Sequence, residues 1–167
     1  VNLRLILMRH AKSDWDDPRQ SDHARPLNPR GRSSAQSMGD WLRSQNIAPD
    51  VALVSDACRT QETFARLALP ETELLLKPGL YLAGAAQMMD VLQCAGRHAT
   101  VLMLGHNPGI AELAERLVAQ PPKHPRFFDY PTCATLVVDF DVSDWSQVSF
   151  GRGVPVAFVI PRDVMTA

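Results

Sequence analysis

The sequence predicts a three-layer α/β/α fold on a mostly parallel sheet of about six strands with an antiparallel edge. Three observations carry that prediction. Short apolar runs at 3–8, 51–54, 73–76 and 100–105 alternate with segments of helical spacing, the pattern of repeated strand–helix–strand units. The run "VLML" at 101–104 is apolar at every position, as a strand covered on both faces requires. Two late runs, 134–140 and 154–160, are again strand-like and follow the alternating part.

Each element has its own local reason. Residues 3–8 read as a buried strand, and the polar, proline-broken segment 14–28 reads as a loop. A helix is expected over 29–45, capped by Asn28 with Pro29 in its first position, and Ala35, Met38, Trp41 and Leu42 recur at helical spacing. After the strand 51–54, Ser55 or Asp56 is expected to cap a helix over 57–68. Residues 73–76 form a third strand, "KPGLYLAG" a loop, and 85–95 a helix. The strand 100–105 precedes a helix that Pro108 starts and that reaches about residue 119. "QPPKHPRFFDYP" reads as a surface loop, and a short strand near 147–150 is expected to form a hairpin with the last one.

The bulk numbers narrow the function. A chain of 167 residues fits one domain, 1–167, with room for a core that needs no staples. Hydrophobic residues at 46% and charged residues at 21% are ordinary for a soluble globular protein. A net charge of −1 gives no global field toward nucleic acid or an anionic membrane, so neither is an expected partner. Cys58, Cys94 and Cys133 are widely spaced and match neither a disulfide framework nor a zinc site. Residues 3–8 are too few for the apolar core of a secretory leader and contain Arg4, so a cytoplasmic location is expected.

Ligands of such sheets bind beyond the carboxyl ends of the strands. There the chain places Arg9 and His10 after the first strand, Arg59 in "SDACRTQET" after the second, and His106 in "GHNPG" after the fourth. Two imidazoles, two guanidiniums and a nearby helix N-terminus make a pocket for a dianion. Zinc would need a third ligand and gains nothing from arginines, and no GxSxG elbow is present for a serine nucleophile. Phosphoryl transfer fits: Arg9 and Arg59 fork onto the phosphoryl oxygens, and His10, on a rigid strand tip, attacks phosphorus. The competing expectation for Arg59 is a capping role or an ion pair with Glu62 or Glu115.

"LMRHAKS", "SDACRTQET" and "GHNPG", in that order, resemble the histidine phosphatase superfamily, also called phosphoglycerate mutase-like. The pairing "RHAKS…RPLNPRG" and the short length look most like its phosphohistidine phosphatase, SixA-type, branch. The resemblance implies that His10 accepts the phosphoryl group while Arg9, Arg59 and His106 bind it. It implies lesser roles for Lys12 and Asn107 near the phosphoryl group and for Ser13 and Arg25 at the entrance. It also implies no metal and no cofactor, a phosphorylated protein or small phosphorylated molecule as substrate, and inorganic phosphate as product. The competing readings are an Asn107 that caps the helix from Pro108 and an Arg25 that pairs with an acid of its own loop.

One departure from the wider family pattern stands out. Many members carry a carboxylic acid after the third strand to protonate the leaving group. Here no carboxylate occurs between Glu73 and Asp90. An alkoxide leaves badly without a proton, whereas the protonated ring of phosphohistidine leaves readily. The gap therefore favours N-phosphorylated substrates or activated esters over sugar phosphates. Asp14, Asp16, Asp17 and Asp22, in the loop beside His10, are the alternative proton donors.

Overall fold

The computed structural model describes residues 2–165. Strand β1 (Leu3–Arg9) leads through the loop into helix α1 (Pro29–Ser44), then β2 (Val51–Val54), α2 (Cys58–Leu67), β3 (Glu73–Leu76), α3 (Ala85–Gln93), β4 (Thr100–Gly105) and α4 (Gly109–Leu117). Strands β5 (Thr135–Phe140) and β6 (Val154–Val159) and the short helix α5 (Pro161–Val164) complete it. The six strands lie in the order β3-β2-β4-β1-β5-β6. β1 to β4 are mutually parallel, and β5 alone runs against its neighbours, one place in from the edge.

Strand side chains alternate between faces, and this alternation builds two cores. Leu5, Leu7, Leu53, Val101 and Met103 face α3 and α4, with Met88, Leu92, Ile110 and Leu113 packed on them. Ile6, Met8, Ala52, Val54, Leu102 and Leu104 face α1 and α2, meeting Ala35, Met38, Leu42 and Leu67. Asn28 caps α1 as expected, its side-chain oxygen accepting from the Gly31 amide at 2.8 Å.

Three local expectations are corrected. Neither Ser55 nor Asp56 caps α2; Ala57 holds that position without a side-chain bond. Ser55 instead meets His106, and Asp56 meets His23 at 2.9 Å. The region 147–150 is not a strand; Trp145–Gln147 is a 3₁₀ turn around a buried Trp145, and β6 pairs with β5. The proline-rich loop is anchored rather than wholly on the surface, because Phe127 and Tyr130 are buried in the core facing α3 and α4. Among the described residues no helix is long and apolar enough to cross a membrane, and all three cysteines are free.

Candidate active site

Strand register explains why distant residues meet. Arg9 of β1 is paired with Gly105 of β4, so the next residues, His10 and His106, emerge side by side. The His10 amide donates to the Gly105 carbonyl at 3.1 Å, and the two imidazole centroids are 5.3 Å apart. β2 is registered on the other side of β4, and the Ser55 amide donates to the Leu104 carbonyl at 3.1 Å. Arg59 then enters from the first turn of α2. All eight residues expected at the site, Arg9, His10, Lys12, Ser13, Arg25, Arg59, His106 and Asn107, line one cavity of about 510 Å³.

The His10 ring is fixed. Its Nδ1 lies 2.7 Å from the Ala11 carbonyl oxygen. A carbonyl only accepts, so Nδ1 carries the proton and Nε2 keeps a lone pair. The backbone beyond it is held by Thr63, whose hydroxyl accepts from the Ala11 amide at 3.0 Å and donates to the Arg59 carbonyl at 2.7 Å. Burial, reinforced by His106, Arg9 and Arg59 and opposed by the Ala11 bond, pushes the His10 pKa down to about 3. Burial and Arg59 likewise lower His106 to about 4, with Asp22 acting against them. Both rings are therefore neutral at neutral pH.

The cations converge without sharing one acid each. Arg9 donates to the Tyr130 carbonyl at 3.1 Å, and burial together with Arg59 lowers its pKa. Arg59, almost wholly buried, pairs with neither Glu62 nor Glu115. Its partner is Asp22, through the main-chain carbonyl at 2.7 Å and the carboxylate at 3.0 Å. Arg25 also meets the Asp22 carboxylate, at 2.7 Å, and donates to the Ser13 hydroxyl. Its guanidinium carbon stacks 3.6 Å from the Trp15 ring centroid. Among the described residues, four buried nitrogens, Arg9 Nε, Arg25 Nε, Arg59 Nε and His106 Nδ1, have no hydrogen-bond partner. Buried polar groups are ordinarily paired, so these four leave hydrogen-bonding capacity unfilled inside the fold.

The side chains around the pair were not all legible. Tyr81, in the loop after β3, donates its hydroxyl to Asp22 and sets its ring edge-on to His106 at 5.5 Å. Those bonds from Tyr81, Arg25 and Arg59 hold the Asp22 carboxyl well below its usual range, and the Tyr81 phenol is raised in return. Asp22 thus keeps no proton to give. Asp14, Asp16 and Asp17 do not line the cavity, and Asp14 and Asp17 accept backbone amides of their own loop. Asp129, the other carboxylate of the lining, is paired with Arg126 at 2.8 Å. Asn107 does two things at once: its oxygen accepts from the Ala111 amide in the first turn of α4 at 3.2 Å, and its nitrogen donates to the Asp129 and Tyr130 carbonyls at 3.1 Å. Lys12 lies exposed at the mouth.

Comparison with known proteins shows what the chain is similar to. Residues 5–81 match the profile of the histidine phosphatase superfamily (branch 1). An uncharacterized protein of Mycobacterium tuberculosis is 31% identical over 161 residues, covering 93% of this chain and all of that one (100%). The phosphohistidine phosphatase SixA of Escherichia coli is 28% identical over 144 residues, covering 82% of this chain and 86% of that one. A solved structure assigned to phosphohistidine phosphatase SixA of Nakamurella multipartitia superposes with a TM-score of 0.83 at 26% identity, covering 96% and 97% of the two chains.

Proposed function

Since this chain belongs to the histidine phosphatase superfamily, we propose that it removes phosphoryl groups through a covalent phospho-His10 intermediate, with phosphohistidine on a protein as its substrate. The observation that carries the reading is the register-imposed pairing of His10 and His106 beside Arg9 and Arg59. In the first step the lone pair of His10 Nε2 forms a bond to phosphorus while the bond to the leaving group breaks and its electron pair departs with that group. Arg9, Arg59 and His106 stabilise the charge on the phosphoryl oxygens, and Lys12, Ser13, Arg25 and Asn107 frame the approach. In the second step water attacks phosphorus and passes one proton to a phosphoryl oxygen, the Nε2–P bond breaks with its electron pair returning to Nε2, and inorganic phosphate leaves.

The leaving-group argument selects the substrate class. Both carboxylates of the cavity are paired with arginines, and Asp22 is held ionised. A leaving group that brings its own proton suits such a site, and a protonated imidazole does so. Three exposed apolar side chains surround the mouth: Trp15 and Leu82 in the lining, and Phe128 between the lining residues Arg126 and Asp129. An apolar rim of this kind suits docking of a protein surface.

The test is a panel of phosphoramidate, a phosphohistidine protein, p-nitrophenyl phosphate and sugar phosphates, with and without EDTA. The expected result is turnover indifferent to the chelator, with P–N substrates preferred over sugar phosphates. A preference for sugar phosphates would reject the phosphohistidine reading, and equal turnover of all phosphoesters would make this a broad phosphomonoesterase. Tight phosphate binding without turnover would reduce it to a binding module.

A further inference from the structure

The two imidazoles of the cavity need opposite behaviour: one offers a lone pair, the other a proton. For His10 the Ala11 carbonyl decides which nitrogen is bare. No such carbonyl faces His106. Its Nε2 lies 2.8 Å from the Ser55 hydroxyl oxygen, and its Nδ1 is buried and without a partner.

Ser55 is fully buried, so its hydroxyl proton has to find an acceptor. Among the described residues, the only other group bonded to that oxygen is the Ala57 amide, a donor, at 3.4 Å. Ser55 is itself held on both sides. Its amide donates to the Leu104 carbonyl at 3.1 Å, and its carbonyl accepts from the Thr60 hydroxyl at 2.7 Å. With the oxygen occupied by one donor and the chain fixed, the sole acceptor for the proton among the described residues is His106 Nε2.

We infer that Ser55 is a positioning residue that donates to His106 Nε2, locks the ring as its Nδ1–H tautomer, and so gives the cavity a neutral proton donor beside the bare Nε2 of His10. The alternative tautomer would leave the buried Ser55 hydroxyl proton without an acceptor. The inference rests on the reading of His106 as a phosphoryl contact, and it extends that reading to a residue that does not line the cavity.

Isotope-labelled protein in phosphate-free buffer at neutral pH tests it. Long-range proton–nitrogen NMR correlations distinguish a protonated ring nitrogen from a bare one. The expected spectrum shows His106 with Nδ1 protonated and Nε2 bare. In Ser55→Ala the Nε2–H form becomes populated and inorganic phosphate binds about tenfold more weakly, while Ser55→Thr restores both. A wild-type His106 protonated at Nε2, or a tautomer unmoved in Ser55→Ala, overturns the inference. The wild-type spectrum alone suffices, so the outcome does not depend on a variant folding. It also needs no turnover: failure of the phospho-His10 mechanism would appear in the substrate panel and leave the tautomer readable.

Discussion

The Asp22 carboxylate lies 3.0 Å from the buried Arg59 guanidinium, inside the cavity that holds His10. The protein thus supplies its own anion to an arginine that the proposed mechanism assigns to the phosphoryl group. A dianion entering this cavity meets a fixed like charge. Asp22→Asn keeps the shape and removes that charge, so its affinity for inorganic phosphate should rise roughly tenfold, about 1.4 kcal/mol. Calorimetric titration measures it. Equal or weaker binding would mean that Asp22 serves to hold Arg59 in place.

His10→Asn removes the bare ring nitrogen while keeping every cation of the cavity. Turnover of p-nitrophenyl phosphate should fall at least about a thousandfold. Rapid quenching of the wild-type enzyme should trap acid-labile phosphate on the protein, and the variant should trap none. A variant with substantial residual rate would remove His10 from the nucleophile's role.

Stability should depend on pH in a window set by the two buried rings. Their folded pKa values, about 3 for His10 and about 4 for His106, lie below the ordinary 6.5. Above pH 6.5 neither the folded nor the unfolded chain protonates them, and the full stability is present. As pH falls below 6.5 the unfolded chain gains protons that the folded one refuses. Each ring then costs up to about 1.4 kcal/mol per pH unit until its own folded pKa is reached. Denaturant unfolding between pH 7 and 4 should show this slope, and His106→Asn should remove about half of it. Asp22 acts lower: its depressed carboxyl contributes stability that is present above the ordinary 3.8 and lost only below it. A flat profile above pH 4 would show that the rings carry protons in the fold.

Gly31 is the contact between α1 and the chain just past His10. A Cβ built there would lie 2.0 Å from the Lys12 carbonyl oxygen, a backbone atom that cannot turn aside. Gly31→Ala should cost about 1–3 kcal/mol or more and also slow turnover, because relief requires shifting residue 12. Gly84→Ala, where nothing lies within 4 Å, is the control and should leave both stability and rate nearly unchanged. Thermal unfolding and steady-state rates of the two variants decide the point.

The parts of the fold that were legible are those in which neighbours along the chain settle the matter. The apolar run of β1, the Asn28–Pro29 start of α1 and the strand-end positions of His10 and His106 follow from periodicity and caps. Tyr81 and Asp22 are 59 residues apart, and no spacing rule announces that they bond. Ser55 looked like a cap because serine before a helix usually is one; the registered β4 offered it His106 instead. The region 147–150 has strand-like composition, but burial of Trp145, with its ring nitrogen donating to the His98 carbonyl at 2.6 Å, curls the preceding chain into a turn.

Tyr130 ties the proline-rich loop to the strand tip and the cavity wall at three points. Its hydroxyl donates to the Leu7 carbonyl at 2.5 Å, and its own carbonyl accepts from Arg9 and from Asn107, each at 3.1 Å. Strand, guanidinium and helix start therefore hang from one residue. Shortening or grafting that loop cannot be a cosmetic change to the periphery; whoever redesigns it also shifts Arg9 and Asn107 in the cavity wall.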